Sequence, residues 1–112
     1  MTRYLISFND GDMTFPDEDF PAVKEAVGLV RKEGKEKGIW LFAGGLWSQT
    51  PITVDEDGTI KNGSLQPNTP HIGGFTIIDV PTKDEALEWA HKIAVACRCA
   101  QEVKEIMDDP NN

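Results

Sequence analysis

The segment that most restricts this chain's fold is Ile72-Gly73-Gly74-Phe75-Thr76-Ile77-Ile78-Asp79-Val80, with Pro81 directly behind it. Its β-branched and aromatic side chains read as a strand, and proline ends the strand because it has no N–H for a ladder. Thr82 and Glu85 then stand at the spacing of a capping box, so a helix starts at once. Ala86, Leu87, Ala90, Ile93 and Ala94 give that helix its apolar face, from Asp84 to about Ala96. Glu102-Val103-Lys104-Glu105-Ile106 alternates and reads as a closing strand, with a helical continuation as the competing reading.

The first part of the chain shows the same kinds of element. Arg3-Tyr4-Leu5-Ile6-Ser7-Phe8 is strand-like and stops at the turn cluster Asn9 to Asp12. Asp17-Glu18-Asp19 and Pro21 favour a helix start. Val23, Val27 and Val30 then recur at helical spacing up to Gly38. Inside this helix Gly28 suggests a close packing contact, and Gly34 a point where the helix ends early. The continuous apolar run Ile39 to Ala43 predicts a buried strand, kinked or bulged at Gly44-Gly45. Pro51 to Val54 and Thr59 to Lys61 form a hairpin around Asp57-Gly58, and residues 62 to 71 form a long polar loop suited to binding or simply mobile. The order is that of a ferredoxin-like α+β domain, βαββαβ with an inserted hairpin. Two helices cover one sheet face. Tyr4, Ile6, Phe8, Leu41 and Phe75 are too many for that face, so a homodimer is expected to cover the other.

Charge narrows the partners. With 11 Lys and Arg against 19 Asp and Glu, the net charge is −8, which excludes a nucleic-acid footprint and disfavours an anionic membrane surface. No apolar run is long enough to span a membrane and no apolar leader opens the chain, so a cytoplasmic location is expected. Cys97 and Cys99 fit a reducing compartment, and their spacing without a second pair is not that of a zinc site. Asp55 to Gly58 lacks the spacing of a calcium loop, and neither Gly pair fits a phosphate or dinucleotide loop. No metal and no organic cofactor is expected.

The chain resembles the YCII-related family, and more closely its DGPF-domain branch. Tyr4-Leu5-Ile6 is similar to the family's first strand, and Glu36-Lys37-Gly38 with Ala43-Gly44-Gly45-Leu46 to its second block. Asn62-Gly63-Ser64-Leu65 stands where the branch has Asp-Gly-Pro-Phe. The most specific match is Ile72 to Val80 continuing into Asp84 to Ala90, and Glu102-Val103-Lys104 resembles the closing strand. The resemblance covers most of the chain, as a single domain over 1–112. It implies a dimeric α+β barrel, two ferredoxin-like sheets packed face to face with a cleft in each protomer. Relatives of this fold include muconolactone isomerase-like and monooxygenase-like proteins, and a His-Asp pair has been proposed for the YCII branch.

His71 and Asp79 are the candidate proton-transfer residues, since imidazole titrates near neutral pH. Eight residues apart in one extended segment, they stand roughly 26 Å from each other at about 3.3 Å per residue. A solvated loop histidine and a local cap are the competing readings. Tyr4, Trp40, Trp47 and Phe75 are candidate walls of a substrate pocket, with Trp47 placed in the cleft and core packing as the alternative. The function expected from these residues is proton transfer on a small cyclic or aromatic metabolite, as an isomerase or lyase. The alternative is a non-catalytic small-molecule binding, regulatory or interaction module, because the first helix carries no histidine and the Asp-Gly-Pro-Phe block is altered.

Overall fold

The computed structural model describes residues 1–112. The elements are β1 (Thr2–Asn9), a 3-10 turn (Asp17–Asp19), α1 (Phe20–Glu36), β2 (Trp40–Gly45), β3 (Ile52–Val54), β4 (Ile60–Asn62), β5 (Ile72–Val80), α2 (Lys83–Cys97) and β6 (Glu102–Glu105). Four strands form one sheet in the order β2-β5-β1-β6, and β3 and β4 form a separate two-stranded sheet. Every pairing is antiparallel. This is the ferredoxin-like α+β order with a hairpin between its halves. β6 pairs with β1 from Tyr4↔Glu105 to Ser7↔Glu102, which settles the last segment as a strand.

Local chemistry sets the helix ends. Thr82 Oγ1 accepts the Glu85 N–H at 3.2 Å, satisfying one of the free donors of the first turn of α2. Arg98 closes that helix in the left-handed region at φ 58°. α1 continues through Gly34 to Glu36, and Gly38 at φ 72° turns the chain out, a conformation open to glycine at no steric cost.

Strand register assigns the two sheet faces. Tyr4 lies opposite Ile78 and Ile6 opposite Thr76, and these residues face the helices. There Tyr4, Ile6, Ile78 and Val80 pack with Ala86, Trp89, Ala90, Ile93 and Cys97 of α2 in one core. Leu5 lies opposite Ile77 and Ser7 opposite Phe75 on the other face. Phe42 joins that face, its ring centroid 5.9 Å from that of Phe75.

Tyr4 and Ile6 sit beneath the helices, and the apolar side chains of the open face are Leu5, Phe42, Phe75 and Ile77. Three expectations are corrected here. β2 is an edge strand, with Leu41 and Phe42 exposed, and not a buried one. Its irregularity falls at Leu41, between Trp40 opposite Ile78 and Phe42 opposite Ile77, while Gly44 and Gly45 stay in register with Phe75 and Gly74. The close glycine contact is at Gly34, where a Cβ would lie 2.9 Å from Cε3 of Trp40; at Gly28 the nearest atom is Nη2 of Arg31 at 4.0 Å.

Candidate functional site

A cavity of about 250 Å³ lies between the helices and the β2 side of the sheet. Val27, Val30 and Arg31 of α1 border it on one side, and Ile93, Ala96 and Cys97 of α2 on another. Phe8, Thr76, Phe75, Trp40 and Ala43 supply the sheet wall, with Gly44 and Gly45 at the edge strand and Met13 and Gln101 from flanking loops. Gly45, opposite Gly74 at the end of β2, leaves open space where a side chain would stand, with no atom within 4 Å of a Cβ built there. Gly74 is needed for a different reason: the Phe8 ring occupies the position a side chain there would need.

Ten of the fifteen lining residues are hydrophobic, and Arg31 is the single charged one. Thr76 is the one buried polar side chain of the core. Burial, reinforced by neighbouring Cys99, pushes the Cys97 thiol up to about 11, so it stays protonated near neutral pH. Cys99 is raised as well, by burial and by Asp12, against a lowering hydrogen bond from Gln101. Both thiols are free. The wall therefore offers an apolar surface, a neutral thiol, a hydroxyl, an amide and one cation. It holds no imidazole or carboxylate.

Of the residues expected at a site, Phe75 and Trp40 line the cavity. Tyr4 is 4% exposed within the core, and its phenol is raised by burial and by Glu105. Trp47 is 89% exposed and outside the cavity, because the chain leaves the sheet after Leu46 N–H donates to the Gly73 carbonyl. Ser48 Oγ then donates to the Asp10 carboxylate at 2.7 Å, holding this segment beside the end of β1. His71 lies at the same sheet end as the cavity rim, its carbonyl accepting the Asp10 N–H at 2.8 Å. Its ring is exposed and turned to the Gln66 carbonyl, with Nε2 at 3.1 Å. Asp79 stands at the other end of β5, opposite Arg3. One of its carboxylate oxygens is buried without a partner, beside a second, polar cleft with Arg3, Asp108 and Asp109. The structure thus does not bring His71 and Asp79 together within one chain.

Arg31 and Thr76 escaped sequence reasoning, and Cys97 was read there only as a reduced thiol. Arg31 follows Val30 and stands four residues after Val27, so it flanks the apolar stripe of α1, a position that surface arginines also occupy. No group of three or more His, Cys, Asp or Glu residues is placed to hold a metal ion. No helix is long and apolar enough to cross a membrane.

The sequence matches no family model and no curated protein. Among solved structures, the fold is similar to 5-chloro-2-hydroxyhydroquinone dehydrochlorinase (TftG) from Burkholderia phenoliruptrix AC1100, in a complex with 2,5-dihydroxybenzoquinone. The TM-score is 0.52 at 13% sequence identity, over 100% of this chain and 99% of that chain. At that identity the likeness shows the fold.

Proposed function

We propose that this chain binds a small cyclic molecule in the cavity between its sheet and helices. The cavity itself carries this reading: about 250 Å³, walled mostly by apolar side chains with a few polar groups, as ligand sites are. A dry apolar cavity of about 150 Å³ holds benzene, so a ring with substituents fits here. A thermal-shift panel of phenolic acids, lactones, small dicarboxylates and 2,5-dihydroxybenzoquinone tests it. A ligand at a hundred times its dissociation constant stabilises the fold by about 2.7 kcal/mol. The shift is expected with one chemical class and is lost in Ala43→Phe, which fills the cavity. A panel with no shift for the native protein overturns the reading.

A second reading, turnover of the bound ring by proton transfer as a lyase or isomerase, is favoured by the fold likeness to a dehydrochlorinase. In it His71 is the acid or base, brought over the nearby rim by the loop that precedes it; Asp79 shares the open sheet face with Leu5 and Ile77, away from the cavity, and would meet a second copy there. The open sheet face, with Leu5, Phe42, Phe75 and Ile77, is where that copy packs. Light scattering at twice 12.4 kDa supports the homodimer, and a mass near 12.4 kDa at micromolar concentration removes it. Unchanged turnover by His71→Ala on an identified substrate removes the catalytic assignment.

A further inference from the structure

Resting on the reading of the cavity as a ligand site, we infer that its ligand is an anion: a single planar ring bearing a carboxylate or an acidic enol or phenol, docked on the guanidinium of Arg31. Arg31 is the only charged residue lining the cavity, and no carboxylate shares the wall with it. Lys37 and Lys92 pair with Glu33, and Arg98 pairs with Asp19. The Arg31 guanidinium, like the remaining cations of the chain, enters no ion pair or hydrogen bond, but it alone among them lines the cavity. An unpaired fork of donors beside an apolar wall is complementary to a planar oxyanion, which it can hold through two parallel bonds.

The helix makes room for this placement. Nη2 of Arg31 lies 4.0 Å from where a Cβ on Gly28 would sit, so the side chain lies back along α1 over that glycine. Glycine is the least favourable helix residue after proline, and Gly28 has no other neighbour within that distance. A longer side chain there would compete with the guanidinium for the same space. The remaining polar groups suit an anion as well. The Thr76 hydroxyl can donate, and the Cys97 thiol, kept protonated by burial, adds no negative charge.

The test compares benzoate with benzamide, near-isosteres that differ in charge, by calorimetric titration of the native protein, Arg31→Gln, Arg31→Lys and Gly28→Leu. Benzoate is expected to bind the native protein at least about tenfold more tightly than benzamide. Arg31→Gln removes that preference by weakening benzoate alone, and Arg31→Lys keeps part of it as a point charge. Gly28→Leu weakens benzoate in the same direction. Arg31 is exposed and unpaired, so the glutamine variant keeps the native melting temperature, and circular dichroism confirms it. Equal binding of both probes to the native protein overturns the charge inference and leaves the cavity reading standing. A benzoate preference that survives Arg31→Gln also overturns it. Binding of neither probe overturns this inference, while the cavity reading is then decided by the wider ligand panel.

Discussion

Two glycines on one helix supply a controlled perturbation. Gly28 and Gly34 both lie inside α1, so replacing either by alanine gains about the same helix propensity, up to roughly 1 kcal/mol. Their surroundings differ. At Gly28 the added methyl meets only a flexible arginine end at 4.0 Å. At Gly34 it would lie 2.9 Å from Cε3 and 3.1 Å from Cβ of Trp40. Trp40 cannot swing clear, because its Cβ is fixed to β2 and its ring packs on the core. Overpacking of this kind costs about 1–3 kcal/mol. Gly28→Ala is therefore expected to stabilise the fold by about 0.5–1 kcal/mol, and Gly34→Ala to destabilise it by roughly 0–2 kcal/mol once propensity is deducted. At about 4 °C per kcal/mol for a domain this size, the two melting temperatures separate by on the order of 4–12 °C. Urea and thermal denaturation followed by circular dichroism measure this. Trp40 also lines the cavity, so Gly34→Ala alters ligand affinity too, whereas the methyl of Gly28→Ala leaves it nearly unchanged. Equal shifts of the same sign in both variants would refute the packing argument.

Three further outcomes are expected. Thr82→Ala removes the cap of α2 and costs about 1 kcal/mol, read as a lower urea midpoint at unchanged slope; an unchanged midpoint would show that water replaces the hydroxyl without loss. The carboxyl of Glu33 is held low chiefly by its hydrogen bond from Lys92, then by the charges of Lys92 and Lys37, against an opposing effect of burial. Its contribution is present above the ordinary carboxylate pKa of about 4.3 and fades as pH falls through the lower folded value, so native protein and Glu33→Gln converge in acid; a stability gap that persists at the acid end contradicts this. Cys97 acts with the opposite sign. Its raised folded pKa gives a contribution complete below the unfolded value of about 8.5 and lost as pH rises through about 11. Cys97→Ala is thus expected to flatten the alkaline limb of the stability profile, and an alkaline limb identical to the native one argues against a buried, neutral thiol.

The order of elements was legible because punctuation sits at the boundaries: Pro81, the Thr82 and Glu85 box, Asp57-Gly58 and Gly38. Face assignment was harder. Tyr4, Ile6 and Phe8 alternate and share one side of β1, as period two requires. Hydrophobicity alone did not separate them from Phe75, because both faces of the sheet are apolar. The run Ile39 to Ala43 misled for the same reason: Trp40 goes to the core and Phe42 to the open face, with the unpaired Leu41 between them. Trp40 and Phe75, both readable in the sequence as aromatic strand residues, border the cavity, the ring of Phe75 also packing on Phe42 of the open face. Arg31 was not legible as a wall residue, since a cation on a helix flank has the same local pattern whether it borders a cavity or bulk water. Trp47 was misplaced because exit from the sheet depends on a hydrogen bond to Gly73, a residue far along the chain.

Gly45 and Gly74 face each other across neighbouring antiparallel strands, which makes β2 and β5 two legs of one hairpin. All 26 residues from 46 to 71, with the β3–β4 ribbon among them, are then an elaborated turn. Such a turn can grow or shrink cheaply, since doubling a loop costs only about 0.6 kcal/mol in closure entropy. The four-stranded order does not depend on what this turn contains. The cavity rim at Gly44 and Gly45 is where the turn begins, and His71 is where it ends. Recognition can therefore be rewritten in this one insertion, by length as well as by composition, while the scaffold beneath it keeps folding unchanged.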